Sequence, residues 1–374
     1  MSGDIYSLNS IKAKLSLIPY NLVLLITITC FYGFMILYSA GGSSFYPWAY
    51  KQIIFFLLFC PVMLFIAVID IRRIFNYSYI FYISILIMLI LVHLLGHTAM
   101  GAKRWFSLGF IKIQPAEPAK LAIILMLARY FHTLSLKQIG QIKHVIPAVI
   151  AVLVPAGLII KQPDLGTGLI TLIVSGVIFF IAGIRLWKFV VVFLTACFSL
   201  PVIWNFLYDY QKKRILMFLE PESDRLGAGY NIIQSKIAIG SGGFFGKGLF
   251  NGTQSQLEFL PEHQTDFIFP TLAEEMGFLG SFILLILYFL ITYLSLSIAL
   301  GCKSTFGRLV VIGFTTLFFF HVFINISMVM GLLPVVGIPL PFMSYGGTMM
   351  GSMLIGFGLI FNVHIHQRVK ISKD

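Results

Sequence analysis

Charge is scarce in this chain: Asp, Glu, Lys and Arg make up only 11% of its 374 residues. Soluble domains carry about a quarter, so a compact aqueous protein is excluded. With 59% hydrophobic residues and a mean hydropathy of +0.95, the composition is that of a polytopic membrane protein. Cysteine is scarce too, with four in all. Cys30, Cys60 and Cys197 lie in apolar runs and Cys302 in a short basic loop, so no disulfide framework is expected. Acids are the rarer charge, 14 against 26 basic residues, for a net +12. In so hydrophobic a chain that excess belongs to topology and to anionic membrane lipids, and no nucleic acid is expected as a partner. Linkers and low-complexity segments are missing as well. Residues 1–374 therefore read as one integral membrane domain.

What the chain has in quantity is apolar runs of roughly 20 residues, the length that spans a bilayer as helix. Ten are predicted, at about 20–39, 52–69, 77–95, 118–132, 145–160, 166–184, 189–208, 276–299, 309–330 and 348–362. The fold class is thus all-α, with one large extracytoplasmic loop at about 209–275. Lys12 and Lys14 before the first run resemble the start of a signal peptide. No small-residue cleavage site follows, so the segment is expected to stay as an anchor.

Ten spans put both termini on one side. That side carries Lys12, Lys14, Arg72, Arg73, Arg129, Lys137, Lys143, Arg185, Lys188, Lys303, Arg308, Arg368, Lys370 and Lys373. The opposite short loops carry only Lys51, Lys103, Arg104, Lys112, Lys120 and Lys161. Both termini are therefore expected in the cytoplasm. The acids divide the other way. Asp4, Asp70 and Asp374 fall inside, while Glu117, Asp164, Asp209, Glu220, Glu222, Asp224, Glu258, Glu262, Asp266, Glu274 and Glu275 fall outside. Orientation does not require this, so the chemistry is expected on the outer face.

The richest polar passage runs from Asn251 to Glu275, with Asp266 at its centre between Glu262-His263-Gln264-Thr265 and the apolar Phe267-Ile268-Phe269. A carboxylate between a polar loop and an apolar wall suits proton transfer, although an isolated Asp is more often a solvated loop acid. Glu117 and Lys120, at i and i+3, open a span where ionisable groups are costly; they read as a cavity pair or as a structural ion pair. Lys103, Arg104, Trp105 and Lys112 combine cation and aromatic at the interface, as headgroup anchors also do. Asp164 could serve a site or cap the next helix. His321 and Asn325, at i and i+4, share a face toward a polar interior.

Other signals read more plainly. Residues 230–239 predict a short amphipathic helix on the outer surface, with Ile232, Ile233 and Ile237 against Asn231, Gln234, Ser235 and Lys236. Gly240–Gly248 is not a P-loop, since Ser241 stands where Gly is needed and Gly248 where Ser or Thr is needed. It reads as a flexible turn from which Lys247 could approach a pyrophosphate. His93 and His97 have metal-pair spacing without a third ligand, and no metal site is assigned. Glu274 and Glu275 read as acids at a helix start. Residues 331–348, with three prolines and four glycines, forbid a regular helix. They should wall the same outward cavity as Asp266.

Several of these stretches resemble the SEDS family (shape, elongation, division and sporulation proteins). They are G-A-K-R-W with P-A-E-P-A-K, Q-P-D-L-G-T, G-A-G-Y-N-I-I-Q-S-K-I-A-I-G-S-G-G, the Asp266 stretch, and G-I-P-L-P-F-M-S-Y-G-G. They follow family order over essentially the whole chain, and T-Q-S-Q-L-E-F-L-P-E favours the elongation branch over the division branch. Two positions depart from the pattern. Gln264 stands where His is usual, with His263 one place earlier, and Arg225 stands where Pro is usual.

The resemblance implies a ten-helix peptidoglycan glycosyltransferase of the bacterial inner membrane that polymerises lipid II on the outer side. It also implies a class B penicillin-binding protein (a transpeptidase) and the elongation machinery as partners, and Asp266 as the catalytic acid-base residue. Substrate-binding candidates are Lys103, Arg104, Trp105, Glu117, Lys120, Asp164, Gln234, Lys247, His321 and Ser344. A divalent cation such as Mg2+ or Mn2+ is the one cofactor left open. Two other classes stand beside the enzyme: a lipid II flippase, against which the outer placement of the acids counts, and a structural scaffold, which would leave those acids unexplained.

Overall fold

A computed structural model describes residues 11–95, 97–99, 102–108, 111–206, 212, 216, 228–257, 259 and 262–372. Asp4, Asp209, Glu220, Glu222, Asp224, Arg225, Glu258, Lys373 and Asp374 lie outside them, as do the side chains of Lys103 and Lys112.

The chain opens with the short helix α1 (Ile11–Ser16) and continues as α2 (Tyr20–Ala40), α3 (Trp48–Val68) and α4 (Ile71–Leu95). Three short strands follow, β1 (His97–Ala99), β2 (Ala102–Leu108) and β3 (Ile111–Ile113), paired antiparallel in the order β1-β2-β3. Next come α5 (Ala116–Thr133), α6 (Leu136–Ile139), α7 (Ile142–Lys161), α8 (Leu165–Ala182) and α9 (Leu186–Phe206). Later in the chain come α10 (Ala228–Ser241), α11 (Thr253–Gln256), α12 (Ile268–Gly301), α13 (Thr305–Val329) and α14 (Gly347–Ile365).

The protein is a multi-pass, helical membrane protein. Each apolar run predicted above falls on one of these long helices. Eight of them, α2, α3, α4, α7, α8, α12, α13 and α14, are long and apolar enough to cross a membrane. The other two runs correspond to α5, whose hydropathy is diluted by Glu117, Lys120 and Arg129, and to α9. Helix α13 packs against α5, α8, α12 and α14 and forms the middle of the bundle. Its Phe314 and Phe318 meet Phe357 of α14 edge to face. By contrast α9 exposes Trp187, Val192, Phe193 and Phe198 along its length, a surface suited to lipid.

Three local readings change. The strands were not foreseen, because 97–113 mixes cations, aromatics and glycine without a clean alternation. They also separate His93 from His97, since α4 ends at Leu95 and His97 begins β1. Helix α10 turns a different face inward than its sequence suggests, with Ser235 taken from the polar side. Ile232, Ser235 and Ala238 face the protein, Ser235 donates to Val329 O at 2.6 Å, and Ile237 is exposed.

The third change concerns Gly240–Gly248, which is a splice rather than a flexible turn. Its backbone lies directly along 273–279: Lys247 N donates to Glu274 O, Gly248 N to Glu275 O, and Phe278 N to Gly243 O. A Cβ on Gly246 would stand 2.1 Å from Glu275 O, and the residue has φ +83. On the other side Gly277 (φ 65, ψ −161) breaks α12. Gly246→Ala should therefore lower stability by on the order of 2–3 kcal/mol, read as an earlier thermal midpoint in detergent. An unchanged midpoint would show that the two backbones can part freely.

Candidate active site

Asp266 sits in the turn 262–267 that leads into α12, and its side chain is half-buried. Three successive carbonyls of this turn are held from one side. Tyr345 N donates to Gln264 O at 2.9 Å, Ser344 Oγ to Thr265 O at 2.5 Å, and Asn325 Nδ2 to Asp266 O at 2.8 Å. The donors come from α13 and from the irregular segment between α13 and α14. That segment borders Asp266 as the proline and glycine pattern anticipated: a Cβ on Gly337 would come within 3.3 Å of Asp266 Oδ2. Gln52 of α3 fastens the segment from behind, with Nε2 donating to Ser344 O and Oε1 accepting from Gly346 N.

A second polar chain runs beneath. Lys120 Nζ is 2.8 Å from Glu117 Oε1 and 2.8 Å from His321 Nε2, all three side chains being buried. An ammonium only donates, so Nε2 accepts, and His321 Nδ1 carries the proton that faces Pro339 O at 3.4 Å. His321 and Asn325 thus hold the neighbouring carbonyls of Pro339 and Ile338. Through them the Glu117–Lys120 pair connects to the Asp266 turn. Both the ion pair and the inward face of His321 and Asn325 were visible as spacings in the sequence.

Other candidates have structural partners. Arg104, in β2, donates from Nε to Gln162 O at 2.7 Å and from Nη2 to Pro163 O, pinning the sheet to the α7–α8 turn. Asp164 caps α8, accepting from Thr167 N at 3.2 Å, while its other oxygen accepts from Gln114 Nε2 at 3.0 Å. Lys247 pairs with Glu274 at 2.6 Å and also donates to Thr253 Oγ1. Glu274, fully buried, accepts from the first amides of α11, Thr253 N and Gln254 N. It therefore caps α11 instead of opening its own helix. Glu275 accepts from Ser39 Oγ at 2.5 Å. Both acids lie just ahead of the break at Gly277, at the far end of the first limb of α12.

The Ser344 hydroxyl donates to Thr265 O and accepts from Leu340 N, and so braces the turn from the irregular segment. His263 is buried, with Nε2 on Ala40 O at 3.1 Å and its ring edge-on to Trp48. Trp105 in β2 and Gln234 in α10 are half-buried, and of Lys103 only the backbone, in β2, is described. Among the described residues, no three His, Cys, Asp or Glu side chains cluster as a metal site. Sequence reasoning missed Gln52 and Gln114 entirely. Gln52 had a signal, since an amide inside an apolar span must find partners.

A half-buried carboxylate in a pinned turn, an irregular wall and a buried Glu117–Lys120–His321 triad stand beside the similarities to known proteins. The family model described as "Cell cycle protein", covering FtsW, RodA and SpoVE, matches residues 18–369. The peptidoglycan glycosyltransferase MrdB of Escherichia coli K12 is 43% identical over 365 residues, 95% of each chain. A chain of a peptidoglycan synthase complex, solved to show how polymerization and crosslinking are coordinated, superposes with a TM-score of 0.82. It is 31% identical and covers 93% of this chain and 97% of its own. The crystal structure of the rod shape determining protein RodA of Thermus thermophilus gives a TM-score of 0.72 at 29% identity, over 94% and 98%. Motif order, helix arrangement and pinned turn coincide with a match along nearly the full length, and the chain belongs to the FtsW, RodA and SpoVE family, the SEDS proteins anticipated from its sequence.

Proposed function

We propose that this chain is a peptidoglycan glycosyltransferase that polymerises lipid II during cell elongation, with Asp266 as general base. The observation that carries the reading is the Asp266 turn, fixed through three consecutive carbonyls while the carboxylate keeps partial exposure. In the reaction the acceptor sugar's 4-hydroxyl oxygen attacks the donor's anomeric carbon. Asp266 takes the hydroxyl proton as the new glycosidic bond forms. The bond to the pyrophosphate breaks, and undecaprenyl diphosphate leaves with that electron pair. An ordinary aspartate is a weak base at about pKa 3.9, so positioning and charge stabilisation of the leaving group must supply much of the rate. Arg104 can contribute there, because its bonds to Gln162 and Pro163 use Nε and Nη2 and leave Nη1. The lipid tails of both substrates would stay in the bilayer, which gives a transferase reason to be built of membrane helices.

The partner in this reading is a class B penicillin-binding protein, as the likeness to a chain of a polymerizing and crosslinking complex supports. The whole of residues 1–374 acts as one domain in the bacterial inner membrane, with both termini cytoplasmic. A flippase is not favoured, because the polar groups converge on one cluster around Asp266, Asn325, His321 and Lys120 instead of tracking along the helices.

Purified protein supplied with fluorescent lipid II in detergent, where there is no second leaflet, should build glycan polymer, more with its transpeptidase partner. Loss of lipid movement across liposomes in Asp266 variants, with normal polymer in detergent, would support the flippase. Placement is checked by single cysteines in a variant lacking the native four. The exposed Leu257→Cys should react with an impermeant thiol reagent on spheroplasts, and Lys303→Cys only after permeabilisation. The native thiols must go even though Cys302 is buried, with burial raising its pKa to about 11 against the pull of Arg308. Reverse labelling would put Asp266 in the cytoplasm and overturn the reading.

A further inference from the structure

Asn325 is fully buried in α13, and its two Nδ2 protons go to carbonyls of different segments: Asp266 O at 2.8 Å and Ile338 O at 2.7 Å. Its Oδ1 is buried without a hydrogen-bond partner. A leucine of similar volume would leave both carbonyls without these donors, so the amide is there for the two main chains it joins and not for the space it fills. What the amide does is fix the distance between the main chain of Asp266 and the wall at Gly337–Ile338. We propose that Asn325 is a positioning residue for the reaction, holding the Asp266 carboxylate at the height of the acceptor hydroxyl, with Ser344 as its companion clamp one residue upstream. The proposal rests on Asp266 being the base.

The clamp has a particular shape. The carbonyl of the reactive residue itself is held, not that of a distant neighbour, so any slip of Asn325 displaces the Asp266 Cα directly. Ser344 holds Thr265 O, and Gln52 fixes Ser344 through its carbonyl. The main chain of Asp266 is thus held on either side of its Cα. A displacement near 1 Å of a reacting group can lower a rate about 100-fold, and loss of Asn325 would allow that without touching substrate.

The test uses full-length protein in detergent with fluorescent lipid II, measuring kcat, KM and thermal midpoint. Asn325→Leu should lower kcat about 30- to 100-fold and leave KM within about threefold, because no substrate contact is lost. Amide hydrogen exchange across 262–267 should quicken. Asn362→Leu is the structural control: Asn362 is also a buried amide, with Nδ2 on Ile66 O and Ile69 O at the other end of the bundle. It should lower the midpoint without the kcat fall. Ser344→Ala, which removes one clamp, should lower kcat about tenfold and decides the matter if Asn325→Leu does not fold. If Asp266→Ala is inactive while Asn325→Leu and Ser344→Ala keep kcat, the positioning role is wrong and the base stands. Polymer from Asp266→Ala would remove the base, and the positioning role with it. Equal falls in kcat for Asn325→Leu and Asn362→Leu would reduce Asn325 to a structural residue.

Discussion

Asp266→Ala is expected to abolish glycan polymer while expression, thermal midpoint and association with the transpeptidase stay near normal. The residue lies in a turn held through backbone carbonyls, so the side chain can be removed without undoing those bonds. Removing a general base typically lowers rate about 100- to 10,000-fold, enough to take polymer below detection in a gel assay. Asp266→Asn should be nearly as inactive, because an amide keeps the shape but cannot take the acceptor's proton. The pair of variants separates chemistry from packing. If the asparagine form polymerised well and the alanine form did not, Asp266 would be acting through shape or hydrogen bonding and the base would lie elsewhere.

The second large effect concerns Glu117 and Lys120. Both are buried, and Lys120 also supports His321. Each single alanine leaves a buried partner charge exposed to an apolar interior, which costs about 3–5 kcal/mol. Removing both leaves no unpaired charge, so the double variant should lose less than the sum, with a coupling of about 2 kcal/mol. Thermal midpoints and kcat/KM across the four proteins give the cycle. Lys120→Ala should be the worse single change, because it also strips His321 Nε2 of its donor and loosens the contact to Pro339. Additive losses would show that the two charges act separately.

Membrane class and helix positions were legible because apolar length is a local property, written in consecutive residues. The pairing of Glu117 with Lys120 was legible for the same reason, since i and i+3 fall on one helical face. What could not be read was the far partner. Nothing near Lys247 announces that it meets Glu274, or that Glu274 caps α11. Composition pointed correctly to the 331–348 wall, since prolines and glycines exclude a helix, yet the donors it offers to 264–266 depend on a fold that joins distant stretches. Arg104 had far partners of the same kind. A cation beside a tryptophan suggests a headgroup, whereas two of its donors close a turn between α7 and α8. The strands escaped because three-residue ladders leave almost no period to detect.

The break at Gly277 bears on how the enzyme meets membranes of different thickness. Unbroken, the 34 residues of α12 would make a rod of about 51 Å at 1.5 Å per residue, well beyond a hydrocarbon layer of about 30 Å. Hydrophobic mismatch would then be relieved by tilting, and every degree of tilt would swing the Asp266 turn away from the lipid headgroups. With the helix divided, only the limb after Gly277 has to match the bilayer, and the limb that begins beside Asp266 is tied instead to the spliced backbone of Gly242–Gly248. Reach toward a lipid-borne sugar is thereby uncoupled from helix length. Polymerisation should accordingly vary little across bilayers of differing acyl-chain length, in contrast to a site carried on the tip of one continuous span.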